Sequence, residues 1–165
     1  MKVIVMADTH MPKKSIKFPS RLCQELENAE LIIHAGDWQT LEVYEELKKF
    51  GEVHGVYGNV DDEDIIQQLP KKKVIDLDGW KIGIVHGDGE KKTTEKRAME
   101  AFEEELDVII FGHSHLPLLR YIGKTMLFNP GSATDKRKLP FYSFGKLTLS
   151  EEIHAEHIFW KKGEK

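Results

Sequence analysis

The chain has 165 residues, 40% of them hydrophobic and 32% charged, with a net charge of −4. That is the balance of a globular protein long enough for one domain over residues 1–165 with a sizeable core. An acidic chain lacks the basic footprint of a nucleic-acid binder. One cysteine, Cys23, excludes an intrachain disulfide and a Cys-rich structural zinc site, and fits a reducing compartment.

The N-terminal run KVIVMA predicts a buried strand over 2–7 that stops at Asp8. It is too short for a signal-peptide core, and no stretch approaches the length of a bilayer span, so a cytoplasmic protein without membrane contact is expected. A loop with Pro12 and Pro19 follows. Residues 20–29 predict a helix that Ser20 can cap. Strand 30–35, helix 40–50 ended by Gly51, strand 52–58 and an acid-headed helix 61–70 stopped by Pro70 come next. Residues 73–87 predict two strands joined by a tight turn at Asp78-Gly79. A charged helix is expected over 91–105, then the strand before Gly112. Strands near 117–122, 125–128, 141–149 and 152–160 close the chain. Alternating β and α first, then a run of strands, predicts a parallel sheet from crossovers with a further sheet packed near it.

The polar residues that follow these runs carry the chemistry. KVIVMA leads to Asp8-Thr9-His10, ELIIHA to Gly36-Asp37, and VHGVY to Gly58-Asn59. KIGIV leads to His86-Gly87-Asp88, DVIIF to Gly112-His113-Ser114-His115, and TMLF to Asn129-Pro130-Gly131-Ser132. Ligands in open α/β sheets bind beyond the carboxyl ends of strands, so Asp8, His10, Asp37, Asn59, His86, His113 and His115 are expected to converge. Carboxylate, amide and imidazole without thiolate suit borderline divalent metals. Seven ligands exceed one ion and fit two, the arrangement that clamps a phosphate.

D-x-H, G-D, G-N, H-G and G-H-x-H in this order resemble the calcineurin-like metallophosphoesterases, most closely their small phosphodiesterase branch, over nearly the whole chain. The resemblance implies a two-sheet β-sandwich flanked by helices in four αββα layers. It implies that Asp8, His10 and His115 bind one metal, Asn59, His86 and His113 a second, and that Asp37 bridges. A hydroxide held between the metals would attack phosphorus, with Asn59, His86 and Asp37 carried over as catalytic. The expected ions are two divalent metals, Mn²⁺ or Ni²⁺ first, with Fe²⁺, Zn²⁺ or Mg²⁺ as alternatives. The expected partner is a small phosphoester substrate, and a homo-oligomer is left open. The alternatives are a phosphomonoesterase, a nuclease, or a non-catalytic metal-binding scaffold such as the family's retromer subunit.

One departure stands out. Many relatives place His directly after the G-N asparagine, where it can protonate a leaving group; here Val60 follows Asn59. Asp61 reads as the start of an acidic helix. His34 and His54 read as buried strand residues, His154 and His157 as surface residues, Asp88 as a turn residue, and Lys136-Arg137-Lys138 as a mobile surface loop.

Overall fold

The apolar runs pair into two five-stranded sheets in a computed structural model, which describes residues 1–163. The first sheet holds β1 (Lys2–Met6), β2 (Leu31–His34), β3 (Glu52–Gly55), β9 (Tyr142–Leu149) and β10 (Ile153–Trp160), in the order β10-β9-β1-β2-β3. The second holds β4 (Lys72–Leu77), β5 (Trp80–Val85), β6 (Val108–Ile110), β7 (Leu118–Ile122) and β8 (Thr125–Asn129), in the order β4-β5-β6-β8-β7. β1, β2 and β3 run parallel in the first sheet, and β5, β6 and β8 in the second.

Strand alternation explains how the sheets stack. Val3, Val5, Leu31 and Ile33 face Ile82, Ile84, Val108, Ile110 and Phe128 across the middle of the sandwich. Ile4, Met6 and Ile32 face outward, where α1 (Ser20–Leu26), α2 (Leu41–Lys48) and α3 (Glu63–Gln68) bury Leu22, Leu26, Val43, Leu47 and Ile65 against them. On the far side Ile109 and Leu127 pack beneath α4 (Thr94–Glu100) through Ala98. The result is four layers, αββα. The inner parallel strands β1, β2 and β6 are buried on both faces, which is why they read as continuous apolar runs, whereas edge strand β3 starts with exposed Glu52.

Several boundaries differ from the sequence reading. The last two strands do not extend the second sheet; β9 pairs antiparallel with β1 and brings β10 beside it. The second sheet instead starts at the hairpin of β4 and β5. Its turn is as expected: Asp78 and Gly79 have φ of 52° and 89°, both left-handed. α4 is shorter than 91–105. The Thr93 hydroxyl caps it by accepting from Lys96 N. Phe102 and Leu106 leave the helix to fill the space above Gly83, where a Cβ would meet Leu106 Cδ1 at 2.6 Å. Ser20 does not cap α1; Pro19 holds that position and no side chain caps.

Candidate metal centre

All six parallel strands end on the same side, and their following loops meet there. β1 delivers Asp8 and His10, β2 Asp37, β3 Asn59, β5 His86, and β6 His113 and His115. Backbone hydrogen bonds tie the loops together: Asp8 N donates to Gly36 O, His10 N to Asp37 O, and Gly112 N to His86 O, at 2.9–3.0 Å. Five of the seven residues, Asp8, His10, Asp37, His113 and His115, have φ between 44° and 71°. Non-glycine residues hold that conformation only where their surroundings over-determine it, and such residues cluster at functional sites. His113 and His115 therefore do not continue the strand. β6 stops at Ile110, and two left-handed residues flank Ser114. Ser114 Oγ accepts from Leu116 N at 3.2 Å and lies 3.1 Å from Asn129 Nδ2.

Two groups of potential ligands result. In each of Asp8–His10–His115 and Asp37–His86–His113 the ligand atoms lie within 4.8 Å of one another. Asp8 Oδ1 is 3.9 Å from His10 Nε2 and 3.7 Å from His115 Nε2. Asp37 Oδ2 lies 3.0 Å from His86 Nε2 in the second group and 3.6 Å from His10 Nε2 in the first. That places one Asp37 oxygen between the groups. Asn59 Oδ1 joins the second group, 3.2 Å from His113 Nδ1.

The donor set fits metal ions. Both oxygens of buried Asp8, and Nε2 of His10 and His115, are buried without a hydrogen-bond partner, and His86 Nε2 faces only the Asp37 carboxylate. Buried polar atoms are ordinarily paired, so four orphans aimed at one place call for a cation. Burial pushes the Asp8 carboxyl up to about 7, because removing its charge from water outweighs the pull of His86. Two tautomers are fixed for the purpose. His86 Nδ1 donates to Ala35 O at 2.9 Å and His115 Nδ1 to Asp135 O at 2.7 Å, so each ring presents Nε2 inward, as a lone pair once that nitrogen is deprotonated. Burial lowers His115 to about 4 and lowers His10 and His113, keeping these rings neutral near pH 7.

The calcineurin-like phosphoesterase superfamily domain matches residues 1–152. The chain belongs to this family. It is a metal-dependent phosphoesterase. Among its relatives, "Probable metallophosphoesterase MJ0623" of Methanocaldococcus jannaschii is 32% identical over 160 residues, 96% of this chain and 81% of that protein. "Phosphodiesterase MJ0936" of the same organism is 27% identical over 143 residues, 79% of this chain and 83% of that one. Among solved structures, wild-type Vps29 of Entamoeba histolytica, complexed with Zn²⁺, is 25% identical with a TM-score of 0.74, covering 96% of this chain and 99% of that one.

The phosphoesterase also supports its centre with residues that the sequence alone does not mark for that role. Asp61 is not simply the start of an acidic helix: its carboxylate accepts from Gly58 N, Gln39 N and Asp37 N at 2.7–3.0 Å. The Asn129–Ser132 segment is a brace. Asn129 Nδ2 donates to Gly112 O, Ser132 Oγ to Asp8 O, and Thr134 Oγ1 to Thr9 O. Arg97 pins the loop after His86 by donating to Gly87 O at 2.8 Å and to Lys91 O and Lys92 O. Exposed Arg137 reaches back to Ser114 O at 3.5 Å.

The other histidines separate. His34 is fully buried, stacked on Trp38 and bonded to Thr9 Oγ1 and Gly36 N, as expected of a structural residue. His54 is only half-buried, between Glu52 and Lys73. His154 is exposed, but His157 is not a surface residue: it donates to Asn129 O at 2.7 Å and stacks on Phe128.

Proposed function

We propose that this phosphoesterase hydrolyses small phosphodiesters at a two-metal centre, within one domain over 1–165. Asp8, His10 and His115 would hold one dication and Asn59, His86 and His113 the other, with Asp37 between them. Bound there, the two ions would draw a nucleophile from water and neutralise charge on the phosphoryl group. The chain's own contribution is orientation. The Ala35 and Asp135 carbonyls aim His86 and His115, and Val60 N holds Asp37 Oδ1 at 3.0 Å, which leaves Oδ2 facing both groups. Asn59, His86 and Asp37 are the residues assigned to catalysis.

The observation that carries this reading is the set of four buried, unpartnered ligand atoms of Asp8, His10 and His115 aimed at one place beside the Asp37–His86 pair. Preference for diesters is supported by the relative named a phosphodiesterase and by Val60, which cannot protonate a poor leaving group. The thiolate-free donor set supports Mn²⁺ or Ni²⁺ first, then Fe²⁺, Zn²⁺ or Mg²⁺. No helix among the described residues is long and apolar enough to cross a membrane; a cytoplasmic setting is our inference from the lone Cys23. The test is a panel of mono-, di- and cyclic phosphoesters offered to chelator-stripped protein reloaded with Mn²⁺, Ni²⁺, Mg²⁺ or Zn²⁺. Diester turnover that follows metal is expected. Preference for monoesters with every metal would replace the reading by a phosphomonoesterase, and ions bound without any turnover would replace it by a scaffold.

A further inference from the structure

Asp61 lies in an acidic run, Asp61-Asp62-Glu63-Asp64, where a solvated carboxylate would be unremarked. Its neighbour Asp62 has the ordinary task there, capping α3 by accepting from Ile65 N. Asp61 instead turns back into the protein. Oδ2 accepts from Gly58 N at 2.7 Å and from Asp37 N at 3.0 Å, and Oδ1 accepts from Gln39 N at 2.7 Å. One carboxylate thus gathers the loop after β2 and the loop after β3, which are more than twenty residues apart in sequence.

The loop it gathers carries strain. Asp37 and Gln39 have φ of 61° and 90°, and both donate their N–H to Asp61. Gly58 leaves the space that Asp37 occupies: a Cβ there would meet Asp37 Oδ1 at 2.2 Å. The clasp is reciprocal, because Val60 N, beside Asp61, donates to Asp37 Oδ1. Asp37 is therefore held at its backbone by Asp61 and at one carboxylate oxygen by Val60. Only Oδ2 remains, 3.6 Å from His10 Nε2 and 3.0 Å from His86 Nε2.

We infer that Asp61 is a positioning residue whose clasp on Asp37, Gln39 and Gly58 sets the Asp37 carboxylate between the two ligand groups, so that both are filled as a coupled pair. This rests on the two-metal reading above. Asp61 itself faces backbone amides with both oxygens, which leaves it neither a metal ligand nor a proton donor. Without it three N–H groups lose their acceptor, the left-handed turn relaxes, and Oδ2 no longer spans both groups.

The experiment uses the full-length protein with Mn²⁺ alone. Metal stoichiometry is read by elemental analysis after equilibrium dialysis, and coupling by low-temperature electron paramagnetic resonance. Wild type should bind two Mn²⁺ with the multiline signal of an exchange-coupled pair. Asp61→Ala should keep one ion, weaken the second by about 10–100-fold, as loss of outer-shell support does, and show the six-line signal of isolated Mn²⁺. Asp61→Asn keeps the shape and one acceptor oxygen, so it folds if Ala does not, and it should fall between. Asp61→Glu should not restore coupling, since an added methylene cannot meet all three donors. A residue needed only for folding would lower the thermal midpoint of the metal-free chain yet leave a coupled pair in whatever folds. A coupled pair retained at wild-type affinity in folded Asp61→Ala, or in Asp61→Asn, overturns the role of Asp61 alone. An uncoupled signal in wild type overturns the two-metal reading, and this inference with it.

Discussion

Asp37 Oδ2 stands 3.0 Å from His86 Nε2, an ion pair that a metal must break. Burial disfavours a charge on His86, but the Asp37 and Asp8 carboxylates outweigh it and raise the ring to about 9. Below that pH the metal-free ring is protonated and offers no lone pair. Metal binding should release about one proton from His86 at neutral pH, and apparent affinity should rise roughly tenfold per pH unit before levelling off above the His86 pKa. Asp8, held up to about 7 by burial, adds a second proton at lower pH. Calorimetric titration in buffers of different ionisation enthalpy counts these protons. Affinity that is flat from neutral pH to pH 9 would show that the ring is already neutral.

Gly58→Ala should damage the same carboxylate from the other side. The new Cβ would meet Asp37 Oδ1 at 2.2 Å and Asp37 N at 2.7 Å, and backbone cannot swing away. A loss of about 1–3 kcal/mol is expected, as for other overpacked sites, together with weaker metal binding. Gly79→Ala is the contrast. It strains a left-handed turn with φ of 89° but meets nothing within 4 Å, so stability should fall while metal binding holds. Thermal denaturation and metal titration of both variants separate the effects; equal metal affinity in the two would sink the prediction.

The convergence of the site was legible because six apolar runs each end in Asp, Asn, His or Gly, and buried parallel strands announce their ends that way. Which sheet each strand joins was not. Nothing in KLTL or IHAEHIFW names β1 as the neighbour of β9, since that pairing spans almost the whole chain. The conformation of His113 and His115 was hidden too: two histidines two residues apart fit an extended segment equally well, and a positive φ at a non-glycine leaves no mark in the sequence. Asp61 looked like Asp62, and only its contacts with distant amides distinguish them. His157 could have been found. It shares strand parity with Ile153 and Ala155, which pack on the central core, whereas exposed His154 has the opposite parity.

The turn between the two histidine ligands can be dissected. His113→Ala and His115→Ala should each weaken metal binding by about 10–100-fold or more, the scale seen even for outer-shell losses. Ser114→Ala removes an acceptor from Leu116 N and a partner from Asn129 Nδ2. It should lower stability by about 1 kcal/mol and leave metal affinity near that of wild type. Dialysis against Mn²⁺ with parallel thermal melts checks all three variants. A Ser114→Ala protein as poor in metal as His115→Ala would mean that the turn's packing, not its rings, decides binding.

His157 should give the metal-free protein an acid-sensitive flank. Burial lowers its pKa below the ordinary 6.5, against the pull of the Asn129 carbonyl. The ring is neutral when folded, while the unfolded chain takes up a proton as pH drops below 6.5. Stability is therefore full above 6.5 and lost as pH falls from there towards the lower folded value. His157→Phe keeps the stack on Phe128 but loses the bond to Asn129 O, which should cost about 1 kcal/mol at neutral pH. It should also narrow the gap between the thermal midpoints at pH 7.5 and pH 5. Buried His34, lowered for the same reason, retains its share of the slope. An unchanged gap in His157→Phe would assign the acid sensitivity elsewhere.

The leaving group should decide which esters this phosphoesterase turns over quickly. Val60 is 46% exposed and has no proton to give from its side chain. Asp61, the nearest carboxylate in sequence, has both oxygens committed to Asp37, Gln39 and Gly58 amides, so it cannot serve instead. A positioned proton donor typically contributes ~10²–10⁴-fold to rate, and charge neutralisation at phosphorus does not need one. Nitrophenyl diesters should be fast and alkyl diesters slow, with the logarithm of the rate falling steeply as leaving-group pKa rises. Val60→His should flatten that line by accelerating the alkyl esters if the loop can seat the ring, because its backbone N–H still holds Asp37 Oδ1. The measurement is kcat/KM for a series of aryl and alkyl phosphodiesters at fixed pH and metal, with a solvent isotope effect to show that chemistry limits the rate. A flat line in wild type under those conditions would mean that another group supplies the proton to the leaving oxygen.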